Sequence, residues 1–334
     1  MAKIKKLNYF NRSKIKKMIP FLNVSRNNSL MNMLAISPFG ALHNLLPLRY
    51  KFLDESFIIS EDDDDIGMIT VSPIFGNYSK LFISQLFFSE KSYDLAQQLI
   101  NFVVSHYGAN GATAFFVTIN QVYSHLINLF IGQCGFRQCS TEQIWEIDKI
   151  SFKKSTTIKY RRLRDSDLKE ISEIYNDSLM THFKPTLERQ GKEFSEAFYH
   201  GLTYSSEYRY VIEDASSDKI LGYFLISTDD NENFLVDFNY SDGYEIDLDG
   251  IMYYATREIL KRMRRFKLYM KIKKYLKTGQ KQEEYAQQNN FSCIQTKLML
   301  VKDFYRMLKQ ESPLKELKEF IMIGDLNQDK RLEV

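Results

Sequence analysis

Between Arg257 and Lys277 ten basic residues stand against one acid, Glu258: Arg257, Lys261, Arg262, Arg264, Arg265, Lys267, Lys271, Lys273, Lys274 and Lys277. A run of this kind can hold a polyanion, either nucleic acid or an anionic lipid surface. Phe266, Tyr269 and Tyr275 interleave with it but lack the order of a base-stacking platform. The plainer alternative is a solvated helix face leading into a sheet edge guarded by lysines. Other reactive residue types are sparse. The three cysteines, Cys134, Cys139 and Cys293, have no paired spacing, and the five histidines have no ligand spacing. Neither a disulfide framework nor a zinc site is expected, so no metal is assigned, and a reducing compartment is the default. The acidic run Glu61-Asp62-Asp63-Asp64-Asp65 reads as a solvated hairpin turn.

The elements that must position any site come from a chain of 334 residues, long enough for two domains, with 44% hydrophobic residues to build a core in each. The basic start (Lys3, Lys5, Lys6) is not followed by the apolar stretch of a signal peptide, because Asn8, Asn11, Arg12 and Lys14 interrupt it. No stretch reaches the roughly 18 uninterrupted apolar residues of a membrane-spanning helix. A cytoplasmic protein is expected.

Periodicity predicts a repeating order. A strand over 3–10 and a short helix over Arg12–Leu22 precede strands at Ser56–Ser60, Gly67–Phe75 and Lys80–Ser89. A helix over Tyr93–Tyr107 stops at Gly108-Ala109-Asn110-Gly111, where glycine and asparagine permit a turn. A buried strand (Ala112–Ile119), a helix (Tyr123–Gln133) and a strand ending at Trp145-Glu146-Ile147 complete the first pass. The second pass has a strand at Thr157–Leu163, an N-cap cluster Asp165-Ser166-Asp167 opening a helix through Ser178, and a helix over 187–203. Strands at 208–214, 220–228 and 232–240 follow, then a helix over 248–265, a strand over 267–275, a helix over 280–289 and a last strand from Phe291. Gly67 matches Gly222 and Gly135-Phe136 matches Asn290-Phe291, both at an offset of 155 residues. A tandem duplication is expected, with domains at 1–150 and 155–305, a tail at 306–334, and Asp148–Thr156 as a short, rigid joint.

This order, together with the stretch FISQLFFSEKSYDLAQQLINFVVSHYGANGATAFFVTIN and the helix running into Cys134-Gly135-Phe136, resembles the GNAT superfamily of acyl-CoA-dependent N-acyltransferases. The resemblance implies an α/β fold with a mixed sheet, in two tandem acyl-CoA N-acyltransferase-like domains. It implies that the strand Leu81–Ser89 splays from its neighbour and offers backbone groups near Phe87 and Phe88 to the pantetheine arm of acetyl-CoA or another acyl-CoA co-substrate. The loop Lys91-Ser92-Tyr93-Asp94-Leu95-Ala96 then stands where the pyrophosphate would meet a helix N-terminus, whose free N–H groups and dipole attract anions. Lys91 keeps the charge and Ala96 the small residue of the family's loop, whereas Asp94 replaces a glycine and could instead serve as an N-cap. The second copy's loop, Tyr244-Glu245-Ile246-Asp247-Leu248-Asp249-Gly250, carries three acids and no cation, so the first copy is the expected CoA site.

For catalysis the resemblance implies a base on the splayed strand and a tyrosine on the last helix. Gln85 holds the strand position and cannot take a proton. The tyrosine position falls on Ile131 or Phe130, neither a donor. Glu90 and Tyr123 are the nearest carboxylate and hydroxyl, with plainer roles in favouring a helix dipole and wedging a helix entrance. Asn120 could bond the pantetheine or cap the turn after its strand. Three readings follow: an acyl-CoA-dependent N-acyltransferase, N-acetyl above all, acting on a small-molecule or protein amine acceptor; a non-catalytic relative that binds acyl-CoA or a protein; and an aminoacyl-tRNA-dependent transferase using the basic run.

Overall fold

The structure, a computed structural model, describes residues 2–6, 55–61, 64–74, 77–88, 92–148, 151–195, 206–228 and 230–304. Glu90, Lys91, the helix expected over Arg12–Leu22 and the tail beyond Phe304 lie outside the described residues. The elements labelled below are the described ones.

The first half contributes β1 (Lys3–Lys6), β2 (Glu55–Glu61), β3 (Asp64–Ile74), β4 (Asn77–Phe88), α1 (Tyr93–Ala109), β5 (Ala114–Asn120), α2 (Ser124–Asn128, continued by a π-helical turn Leu129–Gln133) and β6 (Arg137–Ile147). The second contributes β7 (Ile158–Arg162), α3 (Leu168–Ser178), α4 (Lys184–Leu187), β8 (Ser206–Asp214), β9 (Ile220–Thr228), β10 (Asn233–Tyr240), α5 (Leu248–Leu260), β11 (Lys267–Lys273), α6 (Gly279–Gln288) and β12 (Ser292–Asp303). The repeat shows in backbone detail. Gly135 and Asn290 both adopt left-handed φ, 68° and 58°, each directly before the phenylalanine that leads into its half's last strand.

All twelve strands form one sheet, in the order β1-β2-β3-β4-β5-β12-β6-β11-β10-β9-β8-β7. The last strands are exchanged: β12, from the second half, lies between β5 and β6, and β6 pairs antiparallel with both β12 and β11. The halves therefore share hydrogen bonds across the middle of the sheet. The joint is pinned as well, with Lys153 N donating to Asp249 Oδ2 at 2.9 Å and Tyr254 Oη to Ile158 O at 2.9 Å.

Strand alternation sorts the side chains onto two faces. On one face α1 packs Leu99, Ile100 and Val103 onto Ile59, Ile69, Leu81, Ile83 and Phe115. On the same face α5 packs Ile251, Met252 and Ala255 onto Phe224, Val236, Phe238, Leu268 and Met270. The opposite face holds a third core at the middle of the molecule, where α3 (Ile171, Tyr175) meets Phe116, Met299, Val301, Val211 and Tyr223.

Four expectations change. The helix expected over 187–203 is, in its described part, α4 followed by a 3-10 turn at Gly191–Phe194. That expected over 248–265 ends at Leu260. The Asp165-Ser166-Asp167 cluster forms a 3-10 turn in which Asp167 accepts from Arg164 N at 2.8 Å. Most consequentially, β11 is not a guarded sheet edge. It runs between β10 and β6, so Lys273 is buried and Lys271 half-buried rather than displayed, and the run from Arg257 to Lys277 is not one polyanion surface. No described helix is long and apolar enough to cross a membrane.

Candidate functional site

Parallel pairing between β4 and β5 is confined to three positions, Lys80↔Ala114, Leu81↔Phe115 and Phe82↔Phe116, after which the strands part. The cause lies in β4 itself. Its register against β3 shifts between Thr70↔Gln85 and Val71↔Ile83, leaving Ser84 as an extra residue. A bulge bends its strand and increases local twist, here just where β4 leaves β5. From Ile83 to Phe88 the β5-facing edge of β4 has no ladder partner among the described residues. Across this fork α1 begins with Ser92 at its N-cap, whose side chain makes no capping bond. Leu95 N and Ala96 N bond back to Ser92 O at 3.2 and 3.1 Å. The ring of Tyr93 meets Phe88 edge-on at 5.0 Å and His125 at 6.3 Å, and Tyr123 meets His125 at 6.0 Å. The end of β4 and the starts of α1 and α2 thus converge on one aromatic frame.

The structure brings Phe87, Phe88, Ser92, Tyr93, Leu95, Ala96, Asn120 and Tyr123 into or beside this fork, with Leu95 and Ala96 buried in the first core. Asp94 is exposed in the first turn of α1 and makes no capping bond. Gln85 turns its carboxamide towards β3, where Oε1 accepts from Thr70 Oγ1 at 3.2 Å and Thr70 in turn bonds Ser56 at 2.8 Å. Asn120 Oδ1 accepts from Val122 N at 3.2 Å, capping the turn into α2. Among the described residues no group of three or more His, Cys, Asp or Glu is placed to hold a metal ion.

The second half repeats the fork and closes it. β10 and β11 pair in parallel from Asn233↔Lys267 to Asp237↔Lys271 and then part. Phe82↔Phe116 and Asp237↔Lys271, the last pairs before each fork, stand 155 residues apart in sequence. However, β10 runs against β9 without a bulge, and α6 fills the gap. Gln282 Nε2 donates to Phe238 O at 3.3 Å, Thr278 Oγ1 bonds Asn239 Oδ1 at 3.4 Å, and Asn239 Nδ2 bonds Ser178 Oγ at 2.8 Å. The start of α5 is likewise taken. Asp247 Oδ1 accepts from Gly250 N at 3.0 Å, and Asp249 accepts from Lys153 N and Tyr285 Oη, both at 2.9 Å. A Cβ on Gly250 would lie 2.4 Å from Ser155 Cβ, so the joint sits directly on this helix end. In the second fork, then, Phe238 O and Gly250 N are taken by side chains of the same half.

Sequence reasoning missed a charged layer in the middle of the sheet, on the face opposite α1. Lys271 Nζ lies 2.7 Å from Glu142 Oε2, Lys273 Nζ lies 2.5 Å from Asp237 Oδ2, and Tyr275 Oη is 3.3 Å from Glu142 Oε1. Burial pushes Glu142 up, but Lys271, Lys273 and Lys297 outweigh it and hold the carboxyl below its usual range. Lys297, on β12 next to β5, is 5% exposed. Burial, reinforced by the charge on Lys271, brings its amine down to about 8.

No family model and no curated protein matches the sequence. Solved structures do. A tandem GNAT protein from the clavulanic acid biosynthesis pathway superposes with a TM-score of 0.62 at 8% identity, over 91% of this chain and 98% of that one. A GCN5-related N-acetyltransferase from Sphaerobacter thermophilus gives 0.58 at 10% identity over 90% and 95% of the two chains. One from Anabaena variabilis gives 0.51 at 13% identity over 91% and 73%. At such identities the likeness is one of fold, and it spans both halves with the exchanged strands between them: this chain has the fold of the tandem GNAT proteins.

Proposed function

We propose that the chain is an acyl-CoA-dependent N-acyltransferase whose donor binds in the first half alone. The observation that carries this is the contrast between the two forks: beyond the Ser84 bulge the β5-facing edge of β4 has no ladder partner among the described residues and Ser92 makes no side-chain capping bond at the start of α1, whereas α6, Asp247 and the joint occupy the equivalent places in the second half. The likeness to GNAT structures supports the same donor. The β4 backbone near Phe87 and Phe88 takes the pantetheine amides, and the amides of Ser92–Asp94 with Lys91 take the pyrophosphate. The acceptor amine attacks the thioester carbonyl, the C–S bond breaks, and the amine's proton leaves as the thiolate is protonated. Glu90, which follows β4 in sequence, is the carboxylate proposed for the first proton transfer, and Tyr123 the hydroxyl proposed for the second. A cytoplasmic setting and a small-molecule or protein amine fit this reading.

One observation favours binding without turnover. Gln85, at the strand position of a base, has no proton-accepting group to offer and is bonded to Thr70. The aminoacyl-tRNA reading loses its support, because Lys271 and Lys273 of the basic run are taken up in ion pairs within the sheet.

Calorimetric titration with acetyl-CoA tests the donor site. Lys91→Glu should weaken binding about tenfold or more, the worth of a charge-assisted contact of about 1.5 kcal/mol. Substitutions in the 245–250 loop should leave it unchanged. Equal affinity in Lys91→Glu, or loss only on changing 245–250, overturns the assignment. Thiol release with amine acceptors then separates transfer from binding, and a slow reaction is expected without a well-placed general acid.

A further inference from the structure

The surface of the second half carries a cavity of about 570 Å³, away from both forks, between the C-terminal end of α5 and the strands β7 and β8 at the end of the sheet. Tyr160 and Tyr210 form its wall, and Arg162, Arg257, Lys261 and Arg262 converge on it around a single carboxylate, Glu258. That carboxylate is 6% exposed and fully engaged. It accepts from Tyr160 Oη at 2.6 Å and Tyr210 Oη at 2.9 Å, and it pairs with Lys261 and, at 3.7 Å, with Arg262. Arg262 is braced besides, its guanidinium lying 3.8 Å over the Tyr208 ring. Arg162 and Arg257 are exposed at the rim, and neither side chain has a hydrogen bond or ion pair among the described residues.

Cations at a helix C-terminus complement its dipole, which accounts for Lys261 and Arg262. It does not account for Arg162, which reaches the same cavity from β7. Nor does it account for a buried glutamate held by two tyrosines, whose negative charge is already used within the wall. Four cations against one spent carboxylate leave a strong positive field in a concave site. Guanidinium forks match the oxygens of a phosphoryl group, which accepts two parallel hydrogen bonds from each. The volume falls within the range of small-molecule pockets.

We infer that this cavity is a binding site for a small phosphorylated ligand, with Arg162 and Arg257 gripping the phosphoryl oxygens while Glu258 and its tyrosines fix Arg262 and Lys261. It is separate from the donor site proposed above. Extended RNA is the weaker candidate, since the other exposed cations of the run, Arg264, Arg265, Lys267 and Lys277, are not part of the cavity.

Titration of the full chain with inorganic pyrophosphate at low salt tests the inference. The unmodified chain should bind, and Arg162→Gln/Arg257→Gln should weaken binding about tenfold or more, with an unchanged melting temperature and unchanged acetyl-CoA affinity. Arg264→Gln/Arg265→Gln should bind as the parent does. Absence of binding at millimolar pyrophosphate, equal affinity in the Arg162/Arg257 variant, or a parallel fall in its acetyl-CoA affinity overturns the site. So does tighter binding of a short single-stranded RNA that depends on Arg264 and Arg265, which would assign the surface to nucleic acid.

Discussion

Lys297 illustrates how much one side chain can depend on its neighbours. Its amine, brought from 10.5 to about 8, is a cation whose burial opposes folding. The unfolded chain holds this proton up to about 10.5 and the folded chain only to about 8, so between those values the unfolded state binds more protons and stability rises with pH. The penalty is therefore fully present below pH 8 and amounts to at most about 3 kcal/mol. Lys297→Met should raise the melting temperature at neutral pH, and its advantage over the parent should shrink as pH approaches 10.5. Parallel melts of both proteins across this range check the expectation. A variant less stable than the parent at neutral pH would mean that the field of Glu142 outweighs burial. At the first fork Gln85 points along the sheet to Thr70.

At the scale of elements, the two forks differ because their third hairpins differ. Gly67 and Gly222 occupy matching positions in β3 and β9, yet their surroundings have diverged. A Cβ at Gly222 would lie 2.4 Å from Asn239 O and 2.8 Å from Tyr240 Cα, whereas one at Gly67 would lie 3.1 Å from Ile59 Cγ2 and from Phe87 O. In the second half the unbulged β10 presses directly on β9, and the clash is with backbone that cannot rotate away. In the first half one of the two nearest atoms belongs to a side chain. Gly222→Ala should cost about 3 kcal/mol and Gly67→Ala about 1 kcal/mol, the upper and lower ends of overpacking penalties. Urea unfolding of the two variants measures the difference, and equal costs would show that the bulge gives the first hairpin no extra latitude.

At the scale of the whole molecule, exchange of β6 and β12 makes the halves interdependent. Removing β12 would strip β6 of the partner it holds from Ser292↔Glu146 to Val301↔Arg137 and would leave the inner edge of β5 open. Open edges of this length promote aggregation. Chains truncated before Ser292 should be insoluble, and residues 1–150 alone should not fold. A tryptic nick at Lys153 or Lys154 should leave the two pieces eluting together in gel filtration, and intact residues 2–304 should melt in one transition. Two separable, stable halves would contradict the exchange.

The sequence alone determined the order of the elements and their repetition. Period-3.6 and period-2 patterns are local properties, and the glycine or asparagine needed for left-handed φ at Gly135 and Asn290 is fixed by backbone sterics. It also determined that the second loop is acidic, which the structure accounts for as self-capping by Asp247 and anchoring by Asp249. Tertiary structure decided the rest. KLYMKIK alternates cations with apolar residues and so reads as a strand with one face in water, but strand exchange places it inside the sheet and ties Lys271 and Lys273 into ion pairs with Glu142 and Asp237. Likewise Arg162 and Arg257 are 95 positions apart, and only the packing of α5 across β7 and β8 brings them to one cavity. Local periodicity reports which face of an element is apolar. It carries no information on which element lies beside it, because that is set by contacts between residues far apart in the chain.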